Sequence, residues 1–204
     1  MKAGRPLVLL FQDEARFGRI YEGQRRCWAP FPQRPHAARQ VVRQYVYAVA
    51  AVSPLDGRLC SVILPWMDAK TMAMFLRVTA RTFAAEHCVM FLDQAGWHTA
   101  ANLRVPRSLT LWKLPAHSPE LNPVESLWKY IREHYFGQTV IPSLEAVEAR
   151  LCNALRELDD QPEVVKSLCG YSWIQVISTG SPPRNSPAIQ QEAPPGPNPG
   201  KLSF

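Results

Sequence analysis

A chain of 204 residues with 47% hydrophobic content can bury one sizeable core. No apolar run approaches the roughly 18 residues of a membrane span, and the N-terminus lacks a signal-peptide pattern, so a cytoplasmic protein is expected and membrane partners are not. The net charge of +6 is uneven: residues 1–43 hold nine Lys or Arg against three acids, and the remainder is neutral.

In chain order, LVLLFQD (7–13) is a short apolar run ending in an acid, with the length of a buried strand. Residues 14–40 read as irregular chain or a short hairpin. Within them Arg16, Arg19, Arg25 and Arg26, interleaved with Trp28 and Phe31, form a candidate phosphate-binding surface or a solvated basic face. QYVYAVAAVS (44–53) is β-branched and aromatic, PLDG supplies a turn, and RLCSVIL (58–64) returns as its hairpin partner. The segment 68–86 opens on Asp68 as a cap and carries Met72, Phe75, Leu76 and Phe83 at helical spacing, which suits a crossover helix. HCVMFLDQ (87–94) reads as a second buried strand, TAANLRV (99–105) as a short helix, and LTLWKLP (109–115) as a strand stopped by proline.

HSPELNPVESLWK (117–129) opens as a turn and closes as an amphipathic helix with Val124, Leu127, Trp128, Ile131 and Tyr135 on its apolar stripe. Asn122 is placed as N-cap with Pro123 at the first helical position, which puts Glu125 where a capping-box carboxylate sits. Ser143 caps a helix over 143–158. From about Ser178 the chain turns to Pro, Ser, Gly and Gln, so the expected division is a domain over 1–177 and a disordered tail over 178–204. Five scattered cysteines without a C-x-x-C pair read as reduced thiols, against a zinc site. Strands and helices in this order predict an α/β fold, a mixed sheet with helices on its faces.

Two strands share one design, an apolar run ending in a single aspartate: Asp13 and Asp93. Open α/β sheets place their sites at the carboxyl ends of strands. If the two strands lie side by side and parallel, the carboxylates repel unless a cation sits between them. Oxygen ligands select Mg²⁺ or Mn²⁺, and Glu125 could complete a two-metal site. Each acid also has a bland reading, as a turn or helix-cap residue. Successive strand residues face opposite sides, so of Asp13 and Glu14 only one enters the cleft, and the other is expected to cap or to pair with an arginine. His98 and His117 read as partly buried, hydrogen-bonded histidines, with His98 and Asn122 as candidate accessory residues.

DEARF (13–17), FLDQAGWH (91–98) and LPAHSPELNPVESLW (114–128) resemble the signature blocks of the mariner-like DDE transposases, in their bacterial insertion-sequence branch. The S-P-E-L-N-P-V-E-x-L-W run is the most specific of the three. The resemblance covers residues 7 to about 136 and implies a ribonuclease-H-like fold in which Asp13, Asp93 and Glu125 are catalytic and hold two divalent ions, Mg²⁺ or Mn²⁺. It implies phosphodiester cleavage and DNA strand transfer on double-stranded DNA, at transposon ends and target, by a homodimer associated with the bacterial nucleoid. Two features depart from the family: only 31 residues separate Asp93 from Glu125, and the first catalytic strand begins within ten residues of Met1, where the family carries helix-turn-helix domains. The expectation is a catalytic half served by a separate helix-turn-helix polypeptide, a truncated remnant, or a second reading frame. An inactive nucleic-acid-binding remnant and another two-metal nuclease of the same fold are the alternatives.

Overall fold

Alternation of burial along the first strand sets the layout. In the computed structural model, which describes residues 4–21, 30–32, 40–98, 100, 103–137 and 140–179, Leu7–Tyr21 forms one strand of 15 residues, β1. The sequence suggested a strand stopping at Asp13. Ala15 and Phe17 are buried while Arg16 between them is exposed, which is a strand's period of two, obscured in the sequence by charge and Gly18. β1 pairs antiparallel with Gln40–Val52 (β2), which begins four residues earlier than expected, and β2 pairs antiparallel with Leu59–Leu64 (β3). The turn between them needs Gly57, at φ +76°, where a Cβ would run into the carbonyl oxygen of Pro162. Gly57→Ala is therefore expected to cost about 2–4 kcal/mol, read as a lowered midpoint of denaturant unfolding. An unchanged midpoint would show that the turn can be rebuilt.

Helix α1 (Ala69–Thr82) crosses over from β3. Its first turn is closed by the Asp68 carboxylate accepting from the Thr71 N–H at 2.7 Å, while the Thr71 hydroxyl accepts from the Asp68 N–H at 2.8 Å. His87–Leu92 (β4) then enters beside β1 and runs parallel to it, and Leu109–Lys113 (β5) runs parallel to β4, giving the strand order β3-β2-β1-β4-β5. The mixed sheet predicted from the sequence is thus present, and β1 and β4 are adjacent and parallel. Among the described residues between β4 and β5 there is no helix: residues 100 and 103–105, the described part of the short helix expected over 99–105, are irregular.

Even-numbered β1 residues such as Leu10 pack with Val49, Met72, Phe75, Leu76 and Met90 under α1. Odd-numbered ones such as Phe11, Ala15 and Phe17 pack against helices α2 (Val124–Tyr135), α3 (Leu144–Asp159), α4 (Pro162–Cys169) and α5 (Ser172–Thr179) on the other face. Ser143 caps α3 as expected, accepting from the Ala146 N–H at 3.2 Å. The eight-residue helices α4 and α5 were not foreseen; α4 is announced only by Pro162 in its first turn. The expected tail is described only as far as Thr179, which ends α5, and the rest of it lies outside the described residues. Cys60, Cys88, Cys152 and Cys169 are free thiols, the first two and Cys169 buried. Among the described residues no helix is long and apolar enough to cross a membrane.

Candidate active site

Asp13 and Asp93 owe their positions to register. Phe11 on β1 pairs with Phe91 on β4, and each aspartate lies two residues further along its own strand direction. A short 3-10 turn, Pro119–Leu121, then brings α2 against the same end of the sheet. Asn122 fastens that approach: its side-chain amide donates to the Gln12 carbonyl at 2.9 Å and its Oδ1 accepts from the Val124 N–H at 3.3 Å. Asp13, Asp93, Asn122 and Glu125 consequently line one cavity of about 380 Å³, with the 114–119 loop as its far wall.

The capping-box reading of Glu125 does not hold. The Asn122 N–H it would have to bind already donates to the Pro119 carbonyl at 2.9 Å, and Pro123, the N-cap of α2, makes no side-chain capping bond. Glu125 is instead exposed toward the cavity, where its charge opposes ionisation of Asp13.

Burial first, then repulsion from Glu125 and Glu14, pushes the Asp13 carboxyl up to about 8, although the buried Trp128 indole donates to its Oδ2 at 2.9 Å. Glu14 faces the opposite, α1, side of the sheet, as strand alternation requires. Where a cap or an arginine pair was expected, no arginine among the described residues pairs with it: Gln12 Nε2 donates to its Oε2 at 3.2 Å, and His98 Nε2 stands 3.8 Å from the same oxygen. Burial and the charge of Asp93 push Glu14 up to about 7. His98 is buried, which lowers its pKa, and its Nδ1 lies 2.7 Å from Asp93 Oδ1. Asp93 Oδ1 also accepts the Ala95 N–H at 2.9 Å.

Sequence reasoning thus named the acids, His98 and Asn122, and treated Trp128 only as part of an apolar stripe. A buried tryptophan needs a partner for its N–H, and that requirement was the signal available. His117 was read as a buried histidine; it is exposed at φ 57° on the cavity wall. The four arginines do not form one described surface. Arg16 is exposed on the α1 side, stacked over Tyr45 and Tyr47. Arg19 is engaged on the other side, donating to the Ile141 carbonyl at 3.0 Å and to Gln44 at 2.7 Å. Arg25 and Arg26 lie outside the described residues. Among the described residues no three His, Cys, Asp or Glu side chains surround a point that would hold one ion.

A five-stranded mixed sheet with helices on both faces, its acids gathered just beyond the last parallel pair of β1 and β4 and at the start of α2, is a ribonuclease-H-like arrangement. The chain belongs to the DDE superfamily of endonucleases, whose family model matches residues 8–148. It is 35% identical over 130 residues to the uncharacterized protein y4pE/y4sA of Sinorhizobium fredii (strain NBRC 101917 / NGR234), covering 63% of this chain and 96% of that one. Among solved structures, the Mos1 transposase paired-end complex with left transposon end shares the fold at a TM-score of 0.55 and 15% identity, over 79% of this chain and 55% of that one. The mariner Mos1 paired end complex with Mg gives 0.54 and 15%, over 80% and 56%. The chain therefore spans about half the length of the Mos1 transposase chains it matches.

Proposed function

We propose that this chain is the catalytic domain of a transposase that cuts and joins DNA phosphodiesters with divalent metal ions at Asp13, Asp93 and Glu125. The observation that carries this is the convergence of three carboxylates, from β1, the end of β4 and α2, on one open cavity. A phosphodiester brought to such a cavity adds negative charge to groups that already repel each other, so a cation is needed before substrate can approach. The donor set fits Mg²⁺ or Mn²⁺, being all oxygen and carrying strong negative charge. Mg²⁺ is commonly held by one or two carboxylates with substrate phosphates completing the shell. Asp13, Asp93 and Glu125 would hold two such ions from a common wall that does not close into a cage. Bound there, such ions would supply activation of water or a DNA 3′-hydroxyl and charge compensation at the leaving oxygen. The chain's own residues position the rest: Asn122 ties α2 to β1, and the Gln94 amide donates to the Leu114 carbonyl at 3.0 Å, holding the far wall against β4.

Complexes of the Mos1 transposase with transposon ends, including one with Mn and one with Mg, support this reading, as does membership of the endonuclease family. The purified chain should nick supercoiled DNA in Mg²⁺ or Mn²⁺ and lose the activity in EDTA. Nicking that persists in EDTA, or none with either ion while the protein is folded, would refute it.

Of the two candidate arginines that the structure describes, Arg16 is exposed and available to DNA phosphates, and Arg19 is engaged within the fold. Arg16→Ala should weaken duplex binding about three- to tenfold and lower the slope of log affinity against log salt by about 0.9, the loss of one phosphate contact. Arg19→Ala should instead lower the melting temperature and leave the slope unchanged. Filter-binding titrations between roughly 50 and 200 mM salt separate the two.

A further inference from the structure

The geometry points to Trp128 and His98 as positioning residues that each grip one oxygen of an active-site aspartate through a ring N–H and leave its second oxygen to the metal. This rests on the reading of Asp13 and Asp93 as metal ligands. Trp128 Nε1 donates to Asp13 Oδ2 at 2.9 Å from a fully buried ring. On the other side of the sheet His98, also buried, holds Asp93 Oδ1 at 2.7 Å, and the Ala95 N–H takes the same oxygen at 2.9 Å. With two donors on Oδ1, Asp93 has Oδ2 left for the cavity. Trp128 likewise takes only Oδ2 of Asp13, whose carboxylate also meets the Glu14 backbone N–H.

The two grips are made by rigid rings with few torsions, packed where they cannot follow a moving carboxylate. The Trp97 ring meets the His98 ring edge-on at 6.1 Å, and the Phe17 ring meets Trp128 the same way at 6.0 Å. Carboxylates that repel one another would otherwise swing apart. Trp128 adds a second constraint: it lies one turn after Glu125 on α2, so the bond that orients Asp13 also fixes how far the Glu125 backbone stands from β1. Donors of this kind, held behind a ligand, are worth about 10–100-fold in metal affinity.

The test is a calorimetric titration of the full chain with Mn²⁺ alone, with melting temperatures of the metal-free variants measured alongside. In asparagine the amide nitrogen is as many bonds from Cα as His98 Nδ1, whereas in glutamine it matches Nε2. His98→Asn should accordingly bind Mn²⁺ within about threefold of wild type, while His98→Gln and Trp128→Phe lose about 10–100-fold. A purely structural role for these rings predicts lowered melting temperatures with unchanged Mn²⁺ affinity in the folded variants, and that result would overturn the inference. So would equal losses in His98→Asn and His98→Gln. If Trp128→Phe does not fold, the His98 pair decides. Asp13→Asn and Asp93→Asn show where any failure lies: if they bind Mn²⁺ as wild type does, the metal-site reading falls and this inference with it. If they lose affinity while His98→Gln and Trp128→Phe keep it, only the inference falls.

Discussion

Alanine at Asp13, Asp93 or Glu125 is expected to reduce metal-dependent nicking by about three orders of magnitude, and pairs of these substitutions to do little further harm. Residues that act as a unit fail together, so the losses should be far from additive. Glu125 is the discriminating member. As a helix cap it would contribute about 1 kcal/mol of stability and nothing to catalysis. The structure removes that role, because the N–H it would satisfy donates to the Pro119 carbonyl and the side chain is exposed to the cavity. Glu125→Ala should therefore leave the melting temperature nearly unchanged while nicking of supercoiled plasmid in Mg²⁺ or Mn²⁺ collapses. Removal of its charge should even relieve Asp13, whose ionisation it opposes. Nicking by the variant within about tenfold of wild type would remove Glu125 from the site.

Asp13 and Asp93 were legible in the sequence because the signal is local: an apolar run followed by an aspartate announces a buried strand, which ends before Asp93 but continues past Asp13. Their convergence was conditional on β1 and β4 being parallel neighbours, and strand order is set by long-range packing that periodicity does not encode. The extension of β1 past Asp13 was missed because its alternation involves a small residue and an aromatic, Ala15 and Phe17, among charges, where apolar content alone carries little signal. Glu14 was misjudged for a related reason. Parity separated it from Asp13, and a cap or a pair with an arginine was the expected role. Its actual neighbour is His98, brought over by the β1–β4 pairing. Arg16 and Arg19 show the same limit, since proximity in sequence suggested one surface, whereas the two lie on opposite faces of the strand.

Metal-free protein should lose stability as pH rises from about 5 to about 8, the reverse of the usual behaviour of carboxylates in folded proteins. Asp13 is pushed from 3.8 up to about 8 and Glu14 from 4.5 up to about 7, each by burial first and then by neighbouring carboxylates. Between the unfolded and folded values the native state binds protons that the unfolded chain has released. Stability then falls with rising pH: the contribution is fully present below about 4 and is lost as pH passes through about 7 for Glu14 and about 8 for Asp13. Both groups share one charged cluster, so the combined effect is on the order of a few kcal/mol, or roughly 10 °C in melting temperature for a domain of this size. A divalent cation that binds the ionised carboxylates should restore stability at pH 8 and have little effect at pH 5, where protons compete for the same oxygens. Asp13→Asn, which cannot ionise at that position, should remove the Asp13 share of the slope, leave the share lost through about 7 at Glu14, and abolish most of the Mg²⁺ or Mn²⁺ response. Thermal melts in EDTA and in excess Mn²⁺ across this range provide the check. A metal-free melting temperature that stays level or climbs between pH 5 and 8 would mean that Asp13 and Glu14 are already ionised at pH 5, and that the fold accommodates their negative charge without a cation.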